Sequence, residues 1–265
     1  GSASCLKCHD QEHHAWESSH HHKAMSRPGP TTVSGDFNNA ELEYFGFRSR
    51  FFKKGDEYWV ETDGADGVRK AFKIEYTFGF QPLQQYLIRF PDGRLQALGI
   101  AWDTEKKRWF HLHPDEKITF QSPLHWTSPQ YNWNFMCAEC HSTAVEKNYD
   151  PVKDTYDTTY KEVNVSCEAC HGPASNHLLS VAGEKMANHG FVPNLQGQGP
   201  WIGQTESQPP QPTRKGEPSD QVESCARCHS RRSMVTESYI YGQPLAQTHQ
   251  AAILEQGLYH ADGQI

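Results

Sequence analysis

The chain has 265 residues, a formal net charge of −7 with neutral histidines, and only 36% hydrophobic residues. The acidic balance disfavours nucleic-acid binding, which depends on positive charge facing the phosphates, and would steer basic protein partners toward the chain. The sequence contains no run of 18 apolar residues, so it predicts no membrane span. Ordinary globular domains are more apolar, and side chains alone would therefore build a modest core.

One motif, Cys-x-x-Cys-His, occurs four times and uses all eight cysteines. It is the attachment sequence of c-type haem, in which two thiols bond to the haem vinyl groups and the histidine coordinates the iron. The pattern predicts four covalently bound haems c. Their thioether positions are Cys5, Cys8, Cys137, Cys140, Cys167, Cys170, Cys225 and Cys228, and their proximal ligands are His9, His141, His171 and His229.

Two other chemistries use paired cysteines. Cys-x-x-Cys pairs could build zinc sites with four cysteine ligands, or they could act as redox dithiols. Neither requires a histidine after every second cysteine, so we favour haem. Each haem brings a large apolar disc, and we therefore expect a haem-filled core with short helices and long loops.

The remaining ligands are more often histidine than methionine. Twelve histidines lie outside the motifs, against four methionines in the whole chain. Bis-histidine ligation gives lower haem potentials than histidine–methionine ligation. We therefore expect four six-coordinate haems of low potential.

The N-terminal segment, residues 4–25, has a helical pattern with Ser4 as its predicted N-cap. Leu6, His9, His13, Trp16 and His20 follow one another at spacings of three and four residues. In a continuous helix, an imidazole 11 or 12 residues after His9 lies about 16–18 Å along the axis. It cannot reach the haem on His9, so one of His20, His21 and His22 is predicted to ligate a neighbouring haem. His13 and His14 are predicted to lie at the surface or to face propionates.

Residues 42–120 lack cysteine and have the pattern of an antiparallel β-rich module. Six strands are predicted, at 51–52, 58–60, 71–74, 86–90, 95–102 and 108–112. Turn residues separate them, and the run Asp63 to Gly67 is predicted as a hairpin turn rather than a calcium loop, whose ligand spacing it lacks. The chain is thus expected to be α+β, with an N-terminal helix and first haem site at 1–41, the inserted module at 42–120, and a three-haem region at 121–265.

The last region contains further candidate iron ligands. His177 follows His171 by six residues and, after His21, is the preferred distal candidate, whereas His125, His249 and His260 are weaker ones. Residues 190–222 are rich in Gly, Pro, Gln and Ser and are predicted to form an extended loop. Residues 244–255 are predicted to be helical.

Several segments of the sequence resemble those of a known protein family. Trp16, Ser19, His21, Ala24 and Met25 match a Trp-x-x-Ser/Thr-x-His-x-x-Ala-Met pattern, and the segments from Cys137, Cys167, Cys225 and Leu258 are of the same type. The chain resembles the multihaem cytochrome c superfamily, and is similar to tetrahaem cytochromes that accept electrons from hydroxylamine oxidoreductase and to larger cytochromes with C-terminal tetratricopeptide repeats. The resemblance implies that His21 ligates a haem other than the one before it. The further haem motif and repeats of the larger relatives are missing from this sequence.

These observations favour electron transfer between closely packed haems, with other redox proteins as partners. Two alternatives stay open: a subunit that assembles with copies of itself into an extracellular conducting filament, and an oxidoreductase that acts on a small nitrogen compound at an open haem. Thioether attachment of haem is chemistry of the periplasm or outer surface. We therefore expect an exported bacterial or archaeal protein whose signal peptide was removed ahead of Gly1.

Overall fold

The structure, a computed structural model, describes residues 1–195, 201–202, 211–212, 220–236, 239–253, 255 and 257–259. The chain divides into two compact units, Gly1–Ser166 and Cys167–Ile265. The first unit is mainly a large antiparallel sheet with short helices, and the second consists of short helices and two-residue or three-residue strands. This mixed α+β composition confirms the predicted class, while the three-part division at residues 41 and 120 stays a prediction.

The first unit contains three helices and eleven strands among its described residues. The helices are α1 Asp10–Ser18, α2 Trp133–Met136 and α3 Ala138–His141. The strands are β1 Met25–Ser26, β2 Ala40–Tyr44, β3 Phe47–Lys54, β4 Glu57–Asp63, β5 Arg69–Phe78, β6 Leu83–Arg89, β7 Leu95–Ala97, β8 Ile100–Asp103, β9 Arg108–His111, β10 Tyr149–Asp150 and β11 Thr155–Tyr156. Short 3-10 turns lie at Ser2–Ser4 and Pro129–Tyr131.

The described part of the second unit begins with α4 Cys167–His171 and α5 Ser175–Val181. A 3-10 turn at Ala187–Gly190 is followed by β12 Trp201–Ile202, which pairs with β13 Gln211–Pro212. Next come α6 Gln221–His229, β14 Arg232–Met234, a 3-10 turn at Leu245–Gln247, and β15 His249–Ala251, which pairs with β14. Most of the loop predicted at 190–222 lies outside the described residues.

The large sheet has the antiparallel order β2-β3-β4-β5-β6-β8-β9, with β1 added to β5 and β7 added to β6. All six predicted strands form, and the one predicted at 95–102 is divided into β7 and β8. In β4 the side chains of Tyr58, Val60 and Thr62 are buried at every second position, which is the period of a half-buried strand. The run Asp63 to Gly67 joins β4 to β5 as a hairpin turn, as predicted.

Both faces of the sheet are covered. Ile74 and Ile88 belong to an aromatic core on one face, where the Trp109 ring stacks on Phe51 at a centroid distance of 3.5 Å. The neighbouring positions Tyr76 and Leu87 belong to a second core on the other face. The strands β5 and β6 therefore separate the β-module's own core from the core that contacts the second Cys-x-x-Cys-His motif.

Two helix predictions are wrong. The segment 4–25 holds only α1, because His9 (φ −126°, ψ 49°) separates this helix from the 3-10 turn before it, and Ser19 (ψ 163°) ends it in extended backbone. Ser4 is thus not an N-cap, and the 16–18 Å distance along one axis does not apply. The helix predicted at 244–255 is replaced by the 3-10 turn Leu245–Gln247 and β15. Within the ranges that the structure describes, none of the helices has the length and apolar character needed to cross a membrane.

Candidate haem-attachment sites

Each Cys-x-x-Cys-His motif lies on a helical turn. In the first motif the amide of His9 donates to the Cys5 carbonyl at 2.9 Å, and in the second the amide of His141 donates to the Cys137 carbonyl at 3.2 Å. The third motif is α4 itself, and the fourth ends α6. Because residues three and four apart share one side of a helix, the turn presents both thiols and the imidazole together, as covalent haem attachment requires.

No disulfide joins any of the eight cysteines, all of which lie in the described part of the chain. Among the residues that the structure describes, no group of three or more includes a cysteine close enough to others to share an ion. This arrangement does not build the zinc sites with four cysteine ligands considered from the sequence. In the second motif, burial raises the pKa of the Cys137 thiol to about 12.

The second motif is built on the sheet. Asn132 caps α2 by accepting a hydrogen bond from the Phe135 amide at 2.9 Å. Asn134 is buried, and its side-chain oxygen accepts from the Leu95 amide at 2.7 Å. Trp133 is fully buried in the second core. These contacts fix α2, and therefore the adjoining α3 with its cysteine and histidine, against β7.

His141 has the surroundings of a proximal ligand. Its Nδ1–H donates to the Ala24 carbonyl at 3.4 Å, and its ring lies 4.3 Å from the Phe78 ring. A hydrogen bond from one ring nitrogen to a carbonyl fixes the tautomer and leaves the lone pair on Nε2, the usual second interaction of a metal-bound histidine. Burial lowers the pKa of His141, which favours the neutral imidazole that coordination needs.

The segment that carries His21 is held to the chain just before the third motif. The Trp16 indole donates to the Val165 carbonyl at 2.8 Å, and the Asn164 side chain donates to the His22 carbonyl at 2.9 Å. The Val165 amide donates to the His21 carbonyl at 3.2 Å. His21 itself is exposed, so three hydrogen bonds position its backbone while its side chain faces outward. The iron that it would ligate stays a prediction.

His177 lies near its predicted haem motif. Its Nδ1–H donates to the His189 carbonyl at 2.9 Å, and its ring stacks on Phe191 at 4.5 Å. The ring of His171, the proximal histidine of this motif, lies 5.5 Å from the same Phe191 ring. The carbonyl contact fixes the tautomer with the lone pair on Nε2, which is the form that binds a metal.

The comparisons with known proteins agree with this chemistry. The family described as cytochrome c554 and c-prime matches residues 4–41 and 101–172, which contain the first three motifs. The crystal structure of the outer cell wall cytochrome OcwA has a similar fold, with a TM-score of 0.53 and 19% identity over 94% of this chain. These similarities, together with the four motifs, support a multihaem c-type cytochrome.

The chain spans 44% of the OcwA chain, so the similarity covers less than half of that protein. Comparison with curated proteins gives no match. The family match omits residues 42–100, the part of the chain that contains most of β2 and the strands β3 to β7.

The weaker candidates for distal iron ligands have different surroundings. Both ring nitrogens of buried His125 have hydrogen-bond partners: Nε2 contacts Asp63 Oδ2 at 3.0 Å and Nδ1 contacts Thr127 Oγ1 at 2.8 Å. Iron ligation would require one of these hydrogen bonds to be exchanged, and the role of His125 as a ligand stays a prediction. His249 is buried with Nδ1 at 2.8 Å from Thr248 Oγ1. His260 lies outside the described residues.

His13 and His14 differ in exposure. His13 is only 8% exposed, so the surface position predicted as one option does not hold for it, and the option that it faces a propionate stays a prediction, whereas His14 is exposed. A cavity of about 410 Å³ lies beside His13, Trp16 and Glu17. The spacing of three residues between His13 and Trp16 already indicated that both side chains lie on the same face of a helix.

Proposed function

We propose that this cytochrome binds four haems c and transfers electrons through them. The observation that carries the proposal is the helical turn at each of the four Cys-x-x-Cys-His motifs. When bound, each haem supplies a one-electron iron couple, and the protein's own residues bind it, orient it and set its potential. The proximal ligands would be His9, His141, His171 and His229.

The proposed distal ligands are His21 and His177, with His249 and His260 as further candidates. The hydrogen bond from His177 to the His189 carbonyl is the best support among them, because such contacts orient metal-bound imidazoles. Histidine on both sides of the iron would keep the potentials low.

The second unit gives a reason to place haem in its core. Leu178, Leu179 and Val181 on α5 are 56%, 45% and 65% exposed, directly after the third motif. Covering apolar surface of this kind is favourable by about 25 cal/mol per Å². Haem bound at this motif would cover part of it, and we infer that haem replaces side chains as the core of this unit.

The proposed partners are redox proteins outside the membrane, and the proposed location is the periplasm or the cell exterior. The chemistry of thioether attachment and the fold similarity to an outer cell wall cytochrome support an exported protein.

The first experiment is a haem count on the purified protein. A pyridine haemochrome assay should give four haems per chain, and the double variant Cys167→Ser/Cys170→Ser should give three. A protein that contains zinc and no haem would contradict the proposal. The double variant Ser175→Ala/Ser180→Ala on the neighbouring α5 should keep four haems, which controls for general damage to this unit.

A second experiment separates the electron carrier from the oxidoreductase. In the dithionite-reduced protein, carbon monoxide should leave the Soret band unchanged if every iron has two protein ligands. A shift of the band would reveal an open iron and favour the alternative reaction with a small nitrogen compound.

The oligomeric state in solution tests the filament alternative. Monodisperse monomers would speak against it.

A further inference from the structure

Two histidines and a carboxylate converge on α1, outside the haem motifs. The Nδ1 of His14 lies 3.0 Å from Glu17 Oε2, and the Nδ1 of His13 lies 3.6 Å from Glu17 Oε1. All three groups place a possible ligand atom within 4.8 Å of the others. They occupy positions i, i+1 and i+4 of the helix, so one turn holds the whole set.

The second observation concerns the buried histidine. His13 is 8% exposed, and its Nδ1 has no hydrogen-bond partner among the residues that the structure describes. Its 3.6 Å separation from Glu17 is too long for a hydrogen bond. Buried polar atoms are normally paired, and an exception calls for an explanation such as an ion or water. The unpaired nitrogen faces the carboxylate that His14 also contacts.

A cavity beside these groups gives room for an ion. It has a volume of about 410 Å³ and is bordered by His13 and Glu17 on one side and by Glu162 and Asn164 on the other. Its lining includes Leu6 of the first haem motif, but none of the cysteines and none of the proximal histidines. The donor set of His13, His14 and Glu17 shares no residue with the proposed haem ligands.

We propose that His13, His14 and Glu17 bind a divalent transition-metal cation of the zinc class. Two imidazoles and one carboxylate form a donor set that zinc uses widely. A tetrahedral ion with bonds of about 2.0–2.1 Å places its ligand atoms roughly 3.3 Å apart. The separations of 3.0 and 3.6 Å from Glu17 lie on either side of that value. Three protein ligands leave a coordination position for water.

The test is equilibrium dialysis of the full, haem-loaded protein against zinc chloride, with zinc and iron counted by mass spectrometry. The wild type should bind one zinc per chain at this site. Glu17→Gln and His14→Gln change exposed side chains and should weaken binding at least tenfold, because even outer-shell changes typically cost 10–100-fold. Their iron content and visible spectra should match the wild type, which shows that folding and haem binding are intact.

Two control variants sharpen the result. Glu43→Gln removes an exposed carboxylate on β2 and should leave zinc affinity unchanged. His20→Gln tests whether the run His20 to His22 binds zinc instead, and it too should keep the wild-type affinity. The proposal is wrong if the haem-loaded protein binds no zinc, if Glu17→Gln binds it as tightly as the wild type, or if His20→Gln abolishes binding.

Discussion

Asp63 and His125 form a buried pair that ties the β4–β5 hairpin to the segment after β9. His125 is 3% exposed, and Nε2 lies 3.0 Å from Asp63 Oδ2. Asp63→Ala removes this partner and leaves a buried ring nitrogen unsatisfied, which costs about 1–3 kcal/mol. Urea unfolding followed by far-ultraviolet circular dichroism measures the loss. Asp66→Ala, in the same hairpin but at an exposed ion pair with Lys70, should cost clearly less than Asp63→Ala, because exposed ion pairs contribute little to stability.

The same pair predicts an acid sensitivity. Burial alone would raise the pKa of Asp63, but the hydrogen bond and charge of His125 lower it below the ordinary value of 3.8. A carboxylate whose pKa is lower in the folded state contributes stability above its unfolded pKa, and this stability is lost as the pH falls through the folded pKa. Wild type should therefore lose more unfolding free energy than Asp63→Ala below about pH 4. If the unfolding free energies of the wild type and Asp63→Ala fall equally steeply with pH in this range, the prediction is wrong.

His111 predicts a second dependence of stability on pH, this time from a group that becomes positively charged when it is protonated. Burial, aided by His113, lowers its pKa from 6.5 to about 4, and its ring stacks on Tyr44 at 3.9 Å. The unfolded chain takes up this proton first, so the stability contributed by neutral His111 is present above pH 6.5 and is lost between 6.5 and 4. His111→Phe keeps an aromatic ring beside Tyr44 and should flatten the pH dependence of the unfolding free energy in that interval. A slope equal to that of the wild type would show that His111 does not titrate on unfolding.

His177→Met tests the distal ligand. Methionine favours reduced iron, so one of the four couples should move upward on the order of 0.1 V, within the roughly 0.8 V that axial ligands span. Spectroelectrochemical titration measures this shift. His189→Met is the matched control, because it keeps the carbonyl that accepts from His177 and should leave all potentials in place. If His177→Met leaves every potential unchanged, His177 is not a ligand.

The residue chemistry was only partly predictable. A fixed spacing such as Cys-x-x-Cys-His is visible in one sequence because its members are neighbours on one helical turn. The partners of His125 are not visible, since Asp63 lies 62 positions earlier in the chain and reaches it only through the hairpin. The burial of His13 was not visible either, because the cavity beside it is also lined by residues 162–164, which lie far along the chain.

At the scale of elements, the turn between β6 and β7 meets the strand β11. The amide of Tyr156 donates to the Asp92 carbonyl at 2.9 Å. Gly93 has φ +84°, and a Cβ there would lie 1.8 Å from the Tyr156 carbonyl oxygen. The glycine therefore permits both the left-handed backbone and the close approach of the segment that follows the second haem motif.

Gly93→Ala should consequently destabilise the first unit strongly. The backbone conformation alone costs an alanine about 1–2 kcal/mol, and the clash with the Tyr156 backbone adds to this. Gly55→Ala is the matched control, because Gly55 has φ +58° and nothing within 4 Å of the added atom. We expect thermal unfolding to show a loss several-fold larger for Gly93→Ala. Equal losses of thermal stability in Gly93→Ala and Gly55→Ala would mean that the Tyr156 backbone moves away from the added methyl group without a cost in free energy.

The strands were more predictable than the helices. Alternating burial and Gly-rich or Asp-rich turns revealed six strands, since period two is a local property of the sequence. The strand β2 was not among the predicted strands, although Ala40, Leu42 and Tyr44 are less exposed than the two glutamates between them. The N-terminal helix was predicted too long, because its apolar and histidine stripe continues past Ser19, where the backbone becomes extended.

At the scale of the whole molecule, the division at Ser166 was not predictable, because it falls between two residues without any change in composition. The boundary directly precedes the third motif, so two motifs lie in each unit. The regular elements in the described part of the second unit are short. The proposed haems, which leave no direct trace in hydrophobic periodicity, would supply apolar surface for its core.

Net charge gives the prediction for the molecule as a whole. With a charge of −7 before any propionate is counted, the protein should attract a basic electron-transfer protein and repel an acidic one. The bimolecular rate with the basic partner should fall at least tenfold as ionic strength rises from about 0.01 to 0.2 M, because the Debye length shrinks from about 30 Å to less than 10 Å.

Stopped-flow mixing measures these rates. The rate with an acidic partner should rise over the same interval, because screening then removes repulsion. A rate with the basic partner that does not depend on salt would mean that the negative charge lies away from the haem edge where electrons leave. In that case the net charge would not select the partner, and contacts around individual haems would have to do so.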